Sequence, residues 1–242
     1  VAPSTAGRRP ALLAVVFDER HLAPESVPQA RQAVERLFAS APKPGDEWML
    51  VGTGRGDVRT ARTPSEAEEQ RARLGEMRGL RPRMTDDLVT NDDMITDFEA
   101  MRIALHDDVP TLRLVVARLQ DRERARGGLV SSQAPSVRES RLAAYPSEAR
   151  ALARRTYREA AARARATLSL LEALTNSLAG RRGRKSVVLV SEGFLLDVSL
   201  PEWKRALEAA RKNDVVLYGL DARRLTADAS STPEAKRGLM TP

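Results

Sequence analysis

Three short apolar runs stand out along the chain: Ala11 to Phe17, Val187 to Val190 and Val215 to Leu220. Each is continuous and rich in valine, the pattern of strands buried on both faces of a parallel sheet. A fourth run, Trp48 to Val51, follows the turn-forming Pro42 to Asp46, and Val58 to Thr63 alternates polar and apolar residues as an exposed edge strand does. The glycine-rich link Gly52 to Asp57 suits a hairpin between these two. Helices fill the spaces between strands. Ser26-Val-Pro-Gln29, Thr63-Pro-Ser-Glu66, Thr96-Asp-Phe-Glu99 and Ser199-Leu-Pro-Glu202 all fit the capping box, in which a hydroxyl and the side chain three residues on satisfy orphan amides at a helix start. Ala30, Val34, Leu37 and Phe38 then form one apolar stripe, and Trp203, Ala206, Leu207 and Ala210 another. The longest helix is expected from about Ser147 to Ala179. Its first half is crowded with Arg150, Arg154, Arg155, Arg158, Arg163 and Arg165, read as a solvated face, and its second half has Leu168, Leu171, Leu174 and Leu178 as a core face.

Alternating strands and helices imply an α/β fold: a three-layer sandwich with a mostly parallel sheet, helices on both faces and right-handed crossovers. Residues 81–146 interrupt the alternation. They hold two short helical patterns, Thr96 to Leu105 and Asp108 to Arg124, and then a loop from Gly127 to Ser140. The segment is read as a helical insertion in a single domain spanning 1–242, with too little apolar material for a core of its own. The paired acids Asp92-Asp93 and Asp107-Asp108 within it read as helix-start charges. Residues 226–242 form a polar tail.

Composition narrows the function classes. A chain of 242 residues without cysteine has no disulfide framework, thiolate cluster or cysteine nucleophile, and with only His21 and His106 it has no histidine-rich metal cage. No apolar run approaches the roughly 18 residues of a spanning helix. The polar start, Val1 to Pro10, means that a secretory signal is absent or lies before this numbering. A formal charge of +7 points toward anionic partners. However, 35 of the 40 basic residues are arginine and asparagine occurs only three times, so the charge reads as composition bias, and no nucleic-acid recognition motif accompanies it.

The three central strands each end in polar groups: Asp18-Glu19, Ser191-Glu192 and Asp221. In an open parallel sheet the carboxyl ends share one edge, where ligands bind, so these residues are expected to converge. His21 is close enough in sequence to approach Asp18 or Glu192, although a surface or capping role is the preferred reading. Ser191 lacks one flanking glycine of a Gly-x-Ser-x-Gly elbow. Gly52-x-Gly54-x-Gly56 is followed by a strand pattern, not a helix, so it is no phosphate loop. Arg55-Gly-Asp57, the tripeptide bound by adhesion receptors, is read as coincidence in so arginine-rich a chain.

The run Gly183-Arg-Lys-Ser-Val-Val-Leu-Val-Ser-Glu-Gly-Phe194, the following Val215-Val-Leu-Tyr-Gly-Leu-Asp-Ala-Arg223 and the opening Ala11-Leu-Leu-Ala-Val-Val-Phe-Asp-Glu-Arg-His-Leu22 together resemble the von Willebrand factor type A domain. The likeness is to a bacterial variant found in exported proteins, and it covers about residues 10–80 and 147–225. It implies a site where an Asp-x-Ser-x-Ser loop, a threonine and a later aspartate hold Mg²⁺ and leave room for a partner's carboxylate. Asp18 matches the leading aspartate, but Arg20 and Leu22 stand at the two serine positions and Glu192 replaces the later aspartate. The threonine is unassigned among Thr85, Thr90 and Thr96. An arginine at the second position is placed to neutralise Asp18. The resemblance thus implies a degenerate metal site, with no cofactor expected and a Mg²⁺ held by Asp18 and Glu192 as the alternative.

The expected function is non-catalytic protein–protein recognition through a face comprising Asp18, Glu19, Arg20, His21, Ser191, Glu192 and Asp221, with the insertion beside it. Two rivals stand next to it: a metal-dependent hydrolase using Asp18 and Glu192, and a binder of anionic polymers using the arginine-rich helix. The resembled fold continues past its fifth strand with a helix and an edge strand, so Val215 to Leu220 is expected to have an open edge, completed by another segment or chain.

Overall fold

The computed structural model describes residues 10–40, 45–54, 58–61, 63–81, 94–125, 134–195 and 197–223. Five strands, β1 (Ala11–Phe17), β2 (Glu47–Gly52), β3 (Val58–Ala61), β4 (Arg184–Ser191) and β5 (Val215–Asp221), form one sheet in the order β3-β2-β1-β4-β5. The strands β2, β1, β4 and β5 are mutually parallel, and β3 closes the β2 edge as an antiparallel hairpin with Val51 opposite Val58. Six α-helices accompany them: α1 (Val27–Ser40), α2 (Pro64–Glu76), α3 (Asp97–His106), α4 (Val109–Ala125), α5 (Pro135–Ser177) and α6 (Pro201–Lys212). The chain divides into two compact units, residues 1–81 with 165–242 and residues 82–164.

The first unit is the α/β sandwich. Alternation along β1 sends Leu13, Val15 and Phe17 to one face, where they meet Val27, Ala30, Val34 and Phe38 of α1, Leu74 of α2 and Met77. Leu12, Ala14 and Val16 point to the opposite face. The connections into β4 and β5 run the other way along the sheet from that into β2, so the right-handed crossover rule places the last turns of α5 and all of α6 on that second face. Leu168, Leu171 and Leu174 of α5 and Leu178 just after it are buried there together with Ala206, Ala209 and Ala210 of α6, and Arg205 of α6 bonds Glu172 of α5. Among the described residues β5 pairs with β4 alone, and its Val216 and Tyr218 are exposed, Tyr218 by 54%. Residues 226–242, the polar tail, lie outside the described residues.

The second unit is helical. Ile95, Ala100, Ile103, Leu112, Val115, Ala149 and Ala153 form a buried cluster of their own, where the apolar content had been expected not to suffice. The reason is α5, which begins at Pro135 and is 43 residues long. Residues 135–140, expected as loop, are helical, and the second unit accordingly reaches Ala164 and not residue 146. Asp107 ends α3 in the left-handed conformation, at φ 44°, while Asp108 accepts the Thr111 N–H and opens α4. Asp92-Asp93, Thr85 and Thr90 lie outside the described residues.

Two of the four expected capping boxes form, at Thr63 with Glu66 and at Thr96 with Glu99. The other two do not. Pro201 takes the first position of α6, where its missing N–H costs nothing, which makes Leu200 the cap and leaves Ser199 bonding Asp197. Ser26 is likewise drawn into a short 3-10 turn begun by Pro24, with its own N–H on the Ala23 carbonyl.

Glu99 does a second job beyond its cap. The Arg118 guanidinium holds its carboxyl down at about 2, from an ordinary 4.5, against the opposing effect of burial and with added help from Thr96. The folded state therefore binds fewer protons than the unfolded chain in this range, so the pair's contribution is fully present above pH 4.5 and is lost as pH falls toward 2. In an acid titration followed by circular dichroism, Glu99→Gln is expected to lower stability at neutral pH and to flatten its dependence between those limits. An unchanged acid transition would show that the pair contributes nothing.

Candidate functional site

The carboxyl ends of β1, β2 and β4 come together because the ladder continues past the last paired residues: the Asp18 N–H donates to the Val190 carbonyl and the Thr53 N–H to the Phe17 carbonyl. This sets Asp18, Thr53 and Ser191 side by side, and Asp18 is 0% exposed. Its Oδ1 accepts from the hydroxyls of Thr53 and Thr167, each at 3.2 Å. Its Oδ2 accepts from Ser191 Oγ at 2.9 Å and is 2.8 Å from His21 Nδ1. A carboxylate offers about four lone-pair sites, and here all are taken by donors of the same chain. Two of the hydroxyls are themselves fixed from behind. Thr53 Oγ1 accepts the Arg20 N–H and Ser191 Oγ accepts the Gly193 N–H, so each has its single proton left for Asp18. One buried carboxylate thus joins the ends of three strands, helix α5 and two loops.

The neighbouring acids work in the same way. Glu19 accepts the Gly54 N–H on one oxygen and the Arg78 N–H on the other, while its own carbonyl accepts the Leu80 N–H. A Cβ on Gly54 would lie 2.6 Å from that carboxylate, so the approach needs glycine. Glu192 accepts the Ala23 N–H and pairs with Arg81, whose own N–H bonds the Leu22 carbonyl. Residues 78–81 are thereby strapped to the loop after β1. Gly79 lies against that loop so closely that a Cβ would come within 2.6 Å of the Leu22 carbonyl. Asp221, at the end of β5, holds both the backbone and the guanidinium of Arg223, and these bonds raise the Arg223 pKa above its ordinary value, with Glu192 adding a smaller pull.

Asp18, Glu19, His21, Ser191 and Glu192 are all buried, and they build the edge from beneath. Arg20 and Asp221 are partly exposed and Arg223 is exposed. Two expectations are corrected. His21 is not a surface residue: it is buried, bonded to Asp18 and packed with its ring centroid 5.3 Å from that of Phe194. Arg20 does not neutralise Asp18, because its Nε donates to the Thr53 carbonyl. Thr96, one of the three candidates for the family's threonine, caps α3, and the threonines that reach Asp18 are Thr53 and Thr167. The first stands directly after β2, as Asp18 stands after β1. The second gave no signal beyond being a hydroxyl beside Leu168 in a helix of arginines and leucines. Residues 55–57, the Arg-Gly-Asp tripeptide, lie outside the described residues.

With Asp18 ionised, His21 Nδ1 carries the proton, since a carboxylate only accepts. His21 Nε2, the other ring nitrogen, is buried and has no hydrogen-bond partner among the described residues. A Ser-His-Asp triad would put the serine on Nε2, whereas Ser191 bonds Asp18 directly, so the serine is not activated. The donors do not fit a divalent cation of the kind the resemblance implies either. Mg²⁺ needs near-octahedral oxygens, usually with several waters. Here the Leu22 side chain is in the core, Glu192 is turned to Ala23 and Arg81, and Asp18 is closed off. Among the described residues no three acidic or histidine side chains are grouped as metal ligands. No protein-family model matches the chain, and no curated protein matches its sequence.

Removing the central carboxylate leaves three buried hydroxyls and an imidazole N–H without their acceptor. Asp18→Ala is expected to cost about 3–5 kcal/mol in urea unfolding, the range for breaking a buried charged network, and Thr167→Val only about 1 kcal/mol, the worth of one hydrogen bond. Near-parental stability of Asp18→Ala would refute the role assigned to it.

Proposed function

We propose that the chain is a non-catalytic protein-recognition module of the von Willebrand factor type A kind, acting through the loop edge at the carboxyl ends of its strands and through its helical segment. The observation that carries this reading is the closed hydrogen-bonding of Asp18, which spends the edge's central acid on holding loops in place. A hydrolase would need that carboxylate, and Glu192, open to a substrate or metal. What the edge turns outward is a set of guanidinium groups on fixed partners, Arg20 on Thr53, Arg81 on Glu192 and Arg223 on Asp221, and Val198 after β4, 68% exposed. Arginines pre-oriented by fixed acceptors, together with an exposed aliphatic side chain, are suited to an interface between proteins. The strand order, with an aspartate closing β1 and hydroxyls facing it, agrees with the resemblance.

A photo-crosslinking residue at Val198 in the full chain, used in extract of cells that make the protein, is expected to yield discrete protein adducts. These should be absent when the crosslinker sits at exposed Glu208 on α6, and weakened by Arg81→Glu with Arg223→Glu. Adducts sensitive to nuclease, or equal labelling from both positions, would refute the reading. In calorimetry, Mg²⁺ and Mn²⁺ are expected to bind no tighter than about millimolar, the weak end for oxygen ligands. Micromolar binding abolished by Asp18→Ala would favour the metal-dependent hydrolase instead.

A further inference from the structure

Within the second unit, α3 and α5 enclose a groove of about 440 Å³ lined by Ala104, Leu105, Ala151, Arg154, Tyr157 and Arg158. Its alanines leave room, and Leu105, 44% exposed, offers an apolar wall that water covers. The arginines beside it differ from several others of this helix. Arg150 is paired with Asp107, Arg155 with Glu159 and Arg163 with Asp97. Arg154 and Arg158 have no carboxylate partner among the described residues, and the only side-chain bond of Arg158 runs from its Nε to the Arg154 carbonyl, which lays the guanidinium along the helix. Two exposed cations one turn apart, about 6 Å along the axis, thus flank an apolar groove.

From this geometry we propose that the groove docks an acidic amphipathic segment of a partner protein. Its apolar side chain would fill the space beside Leu105, and two carboxylates one helical turn apart would meet Arg154 and Arg158. Charge complementarity selects the acids: a guanidinium and a carboxylate form paired, charge-assisted bonds with matched geometry. The apolar wall selects an amphipathic chain over a bare anion, because phosphate or a nucleic-acid backbone would leave Leu105 in water. The docking mode is that of a helix in a groove, read as anchors at i and i+4. The inference rests on the reading of the chain as a protein-recognition module, and it adds the place and chemistry of one contact.

A display library of random 16-residue peptides is selected on the full chain and counter-selected on R154E/R158E. The enriched peptides are expected to carry two Asp or Glu residues four apart with a Leu, Ile, Met or Phe between or beside them. Synthesised, such a peptide should bind the double variant at least tenfold more weakly and Leu105→Ser several-fold more weakly, with circular dichroism of both variants unchanged. Enrichment without acids, equal binding by chain and double variant, or no enrichment would overturn the proposal. So would a single-stranded oligonucleotide that competes as well as the peptide and ignores Leu105→Ser, and so would a dimer of the chain that R154E/R158E dissolves, which would make a second copy the occupant. The result is independent of the crosslinking at Val198. Acidic peptides without Val198 adducts would leave the groove standing and remove the strand-edge contact, and the reverse would remove the groove alone.

Discussion

A single buried carboxylate organises the edge of this sheet. Asp18 is out of water entirely, and a charge so placed is stable only if its lone pairs are met by donors. The chain supplies them from β2, β4, α5 and the loop after β1, so the acid can be satisfied only when all four are in place. That makes the carboxylate a device for registering elements against each other as much as a source of stability. The same physics recurs at lower cost in Glu19 and Glu192, which take backbone amides of Gly54, Arg78 and Ala23, positions that no other strand or helix bonds would serve.

Of the acids at this edge Asp18, Glu19 and Glu192 are buried, whereas Asp221 is partly exposed and the arginines beside them reach the surface. Arg81, Arg223 and Arg20 each lie on an acceptor fixed by the sheet or its loops. A side chain held in this way loses less freedom on meeting a partner than a free one, which favours recognition. The second unit shows the contrasting arrangement. Several arginines of α5 are matched with acids, Arg150 with Asp107, Arg155 with Glu159 and Arg163 with Asp97, while Arg154 and Arg158, without a carboxylate partner among the described residues, stand beside an apolar groove.

The strands were legible because valine-rich runs of this length have few other readings, and the hairpin because a glycine-rich link separated two of them. Helix starts were legible where a threonine was followed by proline at the first helical position, as at Thr63, or by aspartate, as at Thr96. The start at Ser199 was less legible because Pro201 two residues later takes the first helical position, and that at Ser26 because Pro24 begins a 3-10 turn ahead of it. The length of α5 was underestimated because its N-terminal turns, Pro135 to Ser147, are mostly exposed and have no apolar stripe to mark them. A buried Tyr145 and Ala149 are what anchor that stretch.

Sequence alone determined the α/β class, the strand set and the presence of Asp18, Glu192 and Asp221 at strand ends, because burial of a sheet imposes local patterns that any reader of residues can see. Tertiary structure decided what those acids do. Whether a carboxylate faces solvent, a cation or its own chain depends on residues 35 to 173 positions away, such as Thr53, Thr167 and Ser191, and nothing in the local pattern around Asp18 names them. His21 was visible as a neighbour of Asp18 by spacing. Its burial depended on Phe194, a residue brought beside it only by the parallel pairing of β1 with β4.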